Sequence, residues 1–443
     1  MVYVNLLGHM ELVAVNIKPK PSNFIDDIIE ELKIAYNEDS KPWVVGFSGG
    51  KDSTALVQFI FYMLMDLPEG QRHKKVFVIA SDTLVEMPSI EKRLIKEVSL
   101  MQHSASKLNL PLEVHRVYPA LNDRFWVTLI GKGYPSPVPR FRWCTERLKI
   151  NPTSKFILDK VSQFGSVVIV LGSRISESST RAQVMEAYRI EGQRFRPHSN
   201  LPKAWVFMPI QYLSTTEVWD YLLSVDNPWG GDNDGLAMLY KMASGGECPM
   251  VIDKSTPPCG NSRFGCWTCT VVERDKSMES LVASGEEKFR PLLDFRDHLR
   301  QIRYEDSARM NKRKNGAEGK GPFTHEARQD LLKRLLQLQR EVGEILIEGD
   351  ELAAIKEMWA LEGLPVDMVD RIWRHVYKEE PMPEGKENPA LSKEEQLLEE
   401  VCKEYDIPFE MMRRLRDLEE EYGSLRRRHG LPELMRETVK NNV

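Results

Sequence analysis

No stretch of this 443-residue chain is apolar over the length of a membrane span, and Met1–Asn5 is not a basic segment leading into an apolar one. The chain also lacks a strong charge of one sign, since 61 lysines and arginines nearly balance 66 aspartates and glutamates. The net charge of -5 gives no general attraction to nucleic acids, so any such contact must come from local basic patches. We therefore expect a cytoplasmic protein with no membrane partner.

Cysteine is scarce as well, with six residues in the whole chain. In a chain of this length without a secretory signal, so few cysteines argue against a disulfide framework and favour metal or redox chemistry. At 443 residues, the chain is long enough for two or three domains with sizeable cores.

The most informative motif that the chain does contain lies at residues 43–56. The β-branched run Val44–Phe47 predicts a strand, and apolar residues at helical spacing from Ala55 onwards predict a helix. Between them, Ser48–Ser53 reads Ser-Gly-Gly-Lys-Asp-Ser. The two glycines let backbone N–H groups form a nest at the positive end of the helix, which is an arrangement that binds phosphates.

This loop is not a Walker A motif, because Asp52 follows Lys51 and Val45 stands in the place of the first glycine. The hexad instead resembles the pyrophosphate loop of the ATP-pyrophosphatase superfamily. That resemblance implies cleavage of ATP between the α- and β-phosphates, with Asp52 helping to hold Mg²⁺. It assigns nucleotide binding to Ser48, Gly49, Gly50, Lys51, Asp52 and Ser53. The plain alternative is an ordinary tight turn between a strand and a helix.

Strand and helix patterns alternate through the first half of the chain, which predicts an α/β fold with a doubly wound, mostly parallel sheet. The predicted strands are 44–47, 76–80, 112–117, 167–171 and 205–208. Polar residues follow three of them, at Ser48–Gly50, Ser81–Thr83 and Gly172–Arg174. Ligands of such sheets bind beyond the carboxyl ends of the strands, so we expect Asp82, Gly172 and Arg174 in the nucleotide site.

The composition changes along the chain and suggests five segments. Residues 1–224 carry the pyrophosphate-loop domain, and 225–280 are rich in Gly, Pro and Cys with little periodicity. A helical region at 281–378 includes a helix capped by Thr324, a linker follows at 379–390, and a last helical unit occupies 391–443.

Cys259, Cys266 and Cys269 lie close together, and the last two have the C-x-x-C spacing that lets two thiolates reach one metal centre. An iron–sulfur cluster, a structural zinc ion and free thiols in a core all remain open on spacing alone. Cys144 lies far upstream in a basic stretch. The cations of this stretch are Arg140, Arg142, Arg147 and Lys149. Such a cluster of cations can bind phosphate or a nucleic-acid backbone. Cys402 lies in an apolar helical pattern and is expected in a core.

Taken together, the motifs resemble the DndC family, the ATP-pyrophosphatase-like component of bacterial DNA phosphorothioation systems. The matching residues are Ser48–Ser53, Asp82–Thr83, Arg142–Thr145, Gly172–Ser178 and Cys248–Cys269. The resemblance implies that the chain activates a DNA backbone phosphate with ATP, giving AMP and pyrophosphate, so that sulfur replaces a non-bridging oxygen. One departure is Leu84, where reductase relatives often have glycine after Asp-Thr.

The resemblance also implies a site and partners. It assigns catalysis to Lys51, Asp52 and Arg174, with Arg174 stabilising charge on the α-phosphate and adenosine lying near Asp82. It assigns one 4Fe-4S cluster to Cys144, Cys259, Cys266 and Cys269, with Cys248 as a substitute ligand or a sulfur-relay thiol. The implied cofactors are ATP, Mg²⁺ and this cluster. The implied partners are DNA, a cysteine desulfurase as sulfur donor and other DNA phosphorothioation proteins.

Three rival functions remain at this point. A phosphoadenylylsulfate reductase would use much of the same loop, and a tRNA-thiolating enzyme would adenylylate a base. The third is a scaffold that binds ATP and a structural zinc ion without catalysis. The intact pair Lys51–Asp52 argues against the scaffold, which would not need both residues.

Overall fold

The structure of the protein is a computed structural model. The structure describes residues 2–4, 10–12, 24–177, 193–243, 265–313, 316–378, 380–383, 393–405, 407–409, 411–413, 415–416, 419 and 431–440. The chain forms two compact units, each assembled from separate stretches. The first unit is Met1–Ile79, Glu97–His115 and Lys160–Leu236, and the second is Ala80–Lys96, Arg116–Asp159 and Ala237–Val443.

A six-stranded sheet forms the core of the α/β fold. Its strands are β3 (Trp43–Phe47), β4 (Val76–Ser81), β5 (Leu112–Val117), β6 (Val167–Val170), β7 (Arg196–Pro197) and β8 (Ala204–Phe207). The spatial order is β5-β4-β3-β6-β8-β7, with β6 parallel to both β3 and β8 and with β7 antiparallel to β8. A separate hairpin pairs β1 (Val2–Val4) with β2 (Met10–Leu12).

The helices of the described chain are α1 (Phe24–Asn37), α2 (Lys51–Asp66), α3 (Pro88–Lys107), α4 (Trp143–Thr145), α5 (Asn151–Phe164), α6 (Thr215–Ser224), α7 (Asn233–Ala243), α8 (Lys276–Ala283), α9 (Arg290–Ile302), α10 (His325–Val342), α11 (Gly349–Leu361), α12 (Met368–Tyr377), α13 (Lys393–Glu404) and α14 (Leu431–Lys440). A π-helical turn, Glu146–Ile150, links α4 to α5. Within this part of the chain, no helix is long and apolar enough to cross a membrane.

Hydrophobic burial explains why β3 and α2 form where they do. Trp43, Val44 and Val45 are fully buried, as expected for a central strand covered on both faces. The helix α2 follows at once and is buried on most of its sides, because it packs on the sheet and on its neighbours α1 and α6. The loop between β3 and α2 is thereby fixed at both ends.

The second unit has its own apolar core, which joins the segment around Trp126 to the C-terminal helices. Its buried members include Trp126, Leu129, Ile130, Leu331, Leu335, Leu336, Leu352, Ile355 and Trp359. The indole N–H groups of Trp126 and Trp359 donate to the carbonyl oxygens of Leu346 and Ile130, at 2.6 and 3.1 Å. The helical C-terminal region is therefore an integral part of this unit.

The sequence predicts the fold class correctly, and its five strands agree with β3, β4, β5, β6 and β8 to within one or two residues. The predicted cap is confirmed too, since the Thr324 side chain accepts a hydrogen bond from the backbone N–H of Ala327. The pattern missed β7 and the helix α7, which begins inside the Gly- and Pro-rich segment. Most of the predicted linker 379–390 lies outside the described residues.

Candidate functional site

The loop Ser48–Ser53 lies between β3 and the start of α2. Gly49 has φ of +71°, a left-handed conformation that glycine adopts without strain. The loop is closed by its own serines: the Ser48 backbone N–H donates to Ser53 Oγ at 3.1 Å, and this hydroxyl donates to the Gly50 carbonyl at 3.0 Å. The loop is thus held in a curled shape at a positive helix end, as phosphate binding requires.

Asp52 lies between two cations. Its Oδ2 accepts from Lys51 Nζ at 2.9 Å, and its Oδ1 accepts from Arg174 Nε at 2.6 Å. Arg174 is 1% exposed, and its remaining donors bind the Leu213 carbonyl and the hydroxyls of Ser176 and Thr215. In the structure, the Arg174 guanidinium therefore contacts the Asp52 carboxylate. Its predicted contact with an α-phosphate stays a prediction.

Gly172 brings the end of β6 against the start of α2. A Cβ atom at this position would lie 2.9 Å from the Asp52 carbonyl oxygen and 3.3 Å from the Ser53 nitrogen. Real Cβ contacts are not this short, so only glycine fits without moving the loop. This close approach gives Gly172 a steric reason to be in the predicted site.

Asp82 follows β4 and belongs to the second unit. It is fully buried, its Oδ2 accepts from Arg116 Nη2, and its Oδ1 accepts from the Leu84 backbone N–H at 2.9 Å. Leu84 itself has φ of +62°, a left-handed conformation that is uncommon for leucine. The departure noted in the sequence thus falls where the backbone favours glycine. The predicted contact of Asp82 with adenosine remains a prediction.

Cys266 is a partly buried cysteine of the second unit, and it pairs with Glu86 in the chain that follows β4. The backbone N–H of its neighbour Trp267 donates to the Val85 carbonyl at 3.0 Å, and Cys266 Sγ lies 3.3 Å from Thr83 Oγ1. Burial raises the pKa of the Cys266 thiol to about 12, against the opposing effect of the positive charge on Lys149. Such a thiol keeps its proton at neutral pH unless a bound metal displaces it.

Lys149 is near three of the described thiols of this unit, those of Cys144, Cys266 and Cys269. The pKa of the Lys149 ammonium group is raised, above all by Cys266 when its thiol is ionised, as it would be on binding a metal. Burial opposes this effect, and Glu86, Cys144 and Cys269 add to it. Burial raises the pKa of Glu86 to about 7 and also raises the pKa of the Cys144 thiol. The thiols of Cys144, Cys266 and Cys269, the Glu86 carboxyl group and the Lys149 ammonium group therefore interact electrostatically with one another.

These residues fit a metal cluster in their chemistry. Thiolates are the ligands that iron–sulfur clusters and zinc select, and a nearby cation offsets the negative charge of a thiolate-bound cluster. Cys259 and Cys248 lie outside the described residues, so the fourth ligand is not seen. Among the described residues, no three His, Cys, Asp or Glu side chains are arranged to hold a single metal ion. The four-cysteine assignment stays a prediction.

The basic stretch around Cys144 divides into paired and exposed cations. Arg147 donates to Asp123 and lies over the Tyr134 ring, so it serves local packing. Arg140 and Arg142 are exposed. The sequence interpretation missed Arg116 and Glu86, because neither residue belongs to a motif and each acquires its role only through a tertiary contact.

The sequence model of one protein family, the phosphoadenosine phosphosulfate reductase domain, matches residues 42–272 of this chain. An uncharacterized protein of Methanocaldococcus jannaschii is 25% identical over 272 residues, which cover 61% of this chain and 45% of that protein. The chain thus spans less than half the length of this curated relative.

Similar solved structures include the phosphoadenylyl-sulfate reductase of Candida auris in a phosphate complex, 12% identical, covering 54% of this chain and 98% of that one, with a TM-score of 0.28. A tRNA thiolase of Methanococcus maripaludis with its 4Fe-4S cluster is 12% identical, covering 62% of this chain and 80% of that one, with a TM-score of 0.29. The FMN adenylyltransferase of Candida glabrata is 15% identical, covering 47% of this chain and 61% of that one, with a TM-score of 0.28. At such TM-scores these structures do not bear on function.

The family model covers just over half of the 443 residues and includes both the loop Ser48–Ser53 and the pair Cys266 and Cys269. The narrower resemblance to the DndC family is not tested by these similarities. The chain therefore belongs to the phosphoadenosine phosphosulfate reductase domain family.

Proposed function

We propose that this chain is the ATP-using sulfurtransferase component of a DNA phosphorothioation system. A non-bridging oxygen of a DNA phosphodiester attacks the α-phosphate of ATP, and pyrophosphate leaves. A cysteine desulfurase delivers the sulfur as a persulfide, and a thiol reduces it to hydrosulfide. The hydrosulfide then attacks the activated DNA phosphorus, so that a P–S bond forms as the P–O bond to AMP breaks and AMP leaves. Activation is needed because an unmodified phosphodiester oxygen is a very poor leaving group, whereas AMP is a good one.

The observation that carries this proposal is the placement of Asp52 between Lys51 and Arg174 at the start of α2. Backbone N–H groups of the loop Ser48–Ser53 bind the β- and γ-phosphates, and Lys51 supplies a positive charge there. Asp52 is the residue that would hold Mg²⁺, which neutralises phosphate charge when bound. Arg174 fixes the orientation of the Asp52 carboxylate, so that this group is in place before ATP arrives.

In the second unit, Cys144, Cys266 and Cys269 would hold a 4Fe-4S cluster, with Cys259 or Cys248 as the fourth ligand. Such a cluster supplies electron transfer or a sulfur-binding position. The hydroxyl of Thr83, 3.3 Å from Cys266 Sγ, and the cation of Lys149 support thiolate charge at this place. A cysteine desulfurase is the proposed sulfur donor.

The proposed DNA contacts are cations whose side chains are exposed. Arg140 and Arg142 precede Cys144, and Lys312 and Arg313 lie on the loop that joins the bridged residues Arg309 and Phe323. Such residues contact phosphates without reading sequence. The sequence has a further basic stretch at 426–428, which is also a candidate for DNA contact but lies outside the described residues.

An assay of nucleotide products tests this function. The anaerobically purified chain is incubated with ATP, Mg²⁺, duplex DNA, a cysteine desulfurase, cysteine and dithiothreitol as the thiol reductant. AMP with pyrophosphate is then separated from ADP with phosphate. Digested DNA is examined for phosphorothioate dinucleotides by mass spectrometry.

We expect AMP and pyrophosphate in the wild type and their loss in Lys51→Ala. Lys75→Ala is the matched control, because the side chain of that lysine is exposed and pairs with the exposed Glu113. ADP as the product, or DNA without sulfur, would contradict the proposal.

The family match itself favours a second function, reduction of a sulfonucleotide. The same preparation is therefore offered phosphoadenylylsulfate and a dithiol, and sulfite is measured. Sulfite formation together with an absence of ATP cleavage would replace the DNA reaction by this one.

A further inference from the structure

The helix α9 (Arg290–Ile302) of the second unit holds the chain that follows the C-x-x-C pair. Arg296 is 0% exposed, and its guanidinium donates to three backbone carbonyls. Nε binds the Cys269 carbonyl at 2.8 Å, Nη1 binds the Glu273 carbonyl at 2.9 Å, and Nη2 binds the Val272 carbonyl. The buried Arg296 guanidinium thus fixes the backbone at Cys269 and at the residues Val272 and Glu273 that follow it.

The same end of the unit holds the segment that leads to Cys144. Ser136 is fully buried, its hydroxyl donates to the Leu299 carbonyl of α9 at 2.7 Å, and its own carbonyl accepts from Arg303. The two cysteine segments, 135–144 and 266–273, are also joined directly. Thr270 is 3% exposed, and its hydroxyl donates to the Pro137 carbonyl at 2.7 Å.

We propose that α9 is a clamp for the cysteine centre, with Arg296 as the positioning residue that sets where the Cys266 and Cys269 sulfurs lie. This inference rests on the proposed function, because it takes the thiols to be cluster ligands. Arg296 lies beyond residue 272, where the family match ends. The helical region after the family domain thereby contributes to the metal centre as well as to the core.

The physical basis is the rigidity of a fully hydrogen-bonded guanidinium. Arginine presents a planar set of donors, so it fixes the relative positions of the carbonyls it binds, whereas lysine presents one point charge. Loop cysteines have little regular structure of their own to orient them. Partners one shell away from metal ligands typically affect metal affinity by about 10–100-fold when removed.

The test compares Arg296→Lys with Arg328→Lys. Arg328 is a matched control: it is 2% exposed, lies in the same unit and donates to the carbonyls of Ile130 and Gly131, but it binds neither cysteine segment. After anaerobic reconstitution with iron and sulfide, the rate of iron transfer to a ferrous chelator is followed by absorbance. We expect Arg296→Lys to lose iron on the order of 10-fold faster than the wild type, with Arg328→Lys close to the wild type.

A second readout does not depend on the cluster. In the metal-free chains, labelling by iodoacetamide is followed by mass spectrometry, and we expect faster labelling of Cys269 in Arg296→Lys than in Arg328→Lys. Thr270→Val, which removes the link between the two segments, should change labelling in the same direction. Circular dichroism verifies that each variant is folded.

The outcomes separate the two proposals. Equal rates in Arg296→Lys and the wild type, or equal losses in both lysine variants, would overturn the clamp and leave the cluster standing. A wild-type chain that takes up no iron would overturn the cluster, and the labelling rates of the metal-free chains would then decide on the clamp.

Discussion

At Asp52 one carboxylate is shared by two cations, and the two play different parts. Lys51 is partly exposed at the loop, whereas Arg174 is buried. Within the described part of the chain, Asp52 is the carboxylate that Arg174 contacts, and its other partners are a carbonyl and two hydroxyls. A buried arginine without its counter-charge is costly, so Asp52 has a structural task besides any role with magnesium.

Asp52→Asn should therefore lower both activity and stability. We expect loss of pyrophosphate release and a decrease of about 1–3 kcal/mol in the free energy of unfolding, since the amide keeps an acceptor but not the charge. Urea unfolding measures the second effect. Glu113→Gln is the control, because it removes the charge of an exposed ion pair and should change stability by less than about 1 kcal/mol. Equal effects in the two variants would refute the special role of Asp52.

Glu351 provides a pH dependence. Burial raises the pKa of this carboxyl group to about 8, while the unfolded chain has a glutamate pKa near the usual value of about 4.3. Between these values the unfolded chain releases the proton and the folded chain retains it. The contribution of this group therefore lowers the free energy of unfolding as pH rises from about 4.3 to about 8, by a few kcal/mol in all.

Glu351→Gln should remove that contribution. Urea unfolding at about pH 5, 6.5 and 8 should show a smaller loss of stability with rising pH in the variant than in the wild type. Glu287→Gln, whose side chain is 67% exposed, serves as the control and should follow the wild type. Parallel curves for Glu351→Gln and the wild type would mean that the buried carboxyl does not titrate as expected.

Among the elements, the contact between the end of β6 and the start of α2 decides the shape of the loop. Gly172→Ala would place a methyl group 2.9 Å from the Asp52 carbonyl oxygen, so α2 or β6 must shift. We expect a loss of about 1–3 kcal/mol in the free energy of unfolding together with weaker ATP binding.

Gly70→Ala is the matched control for that substitution, since a Cβ at Gly70 meets nothing within 4 Å and its φ is not positive. Calorimetric titration with a non-hydrolysable ATP analogue and urea unfolding would be carried out on both variants. Unchanged affinity in Gly172→Ala would show that the close approach does not matter for nucleotide binding.

For the whole molecule, the family domain and the folding units do not coincide. The family match ends at residue 272, whereas the core of the second unit continues through α10 and α11 to Trp359. A chain ending at residue 283 would expose the apolar side chains around Trp126 that those helices cover.

We therefore expect the chain ending at residue 283 to aggregate or to lose its near-ultraviolet circular dichroism. A chain ending at residue 392 retains α10, α11 and α12 and should keep both its dichroism and a cooperative thermal transition. A soluble, cooperatively folded 283-residue chain would show that the helices are dispensable for the second unit.

Local sequence patterns were sufficient to predict much of the fold and the loop Ser48–Ser53. The run Val44–Phe47 and the glycines that follow it predict a strand and a phosphate-binding turn, because backbone conformation and burial there depend on neighbouring residues. The helix cap at Thr324 could be predicted for the same reason. The spacing of the C-x-x-C pair indicated that two thiolates can reach one metal centre, but it did not decide between iron–sulfur, zinc and free thiols.

The sequence by itself thus determined the fold class, the loop Ser48–Ser53 and which cysteines are candidates for a metal. Only the tertiary structure decided that Arg174 and Gly172 act on Asp52, that Arg116 binds Asp82, and that Arg296 holds Cys269. Each of these contacts joins residues between 27 and 122 positions apart. No periodicity or motif encodes such a pairing, because it depends on how whole strands and helices pack in space.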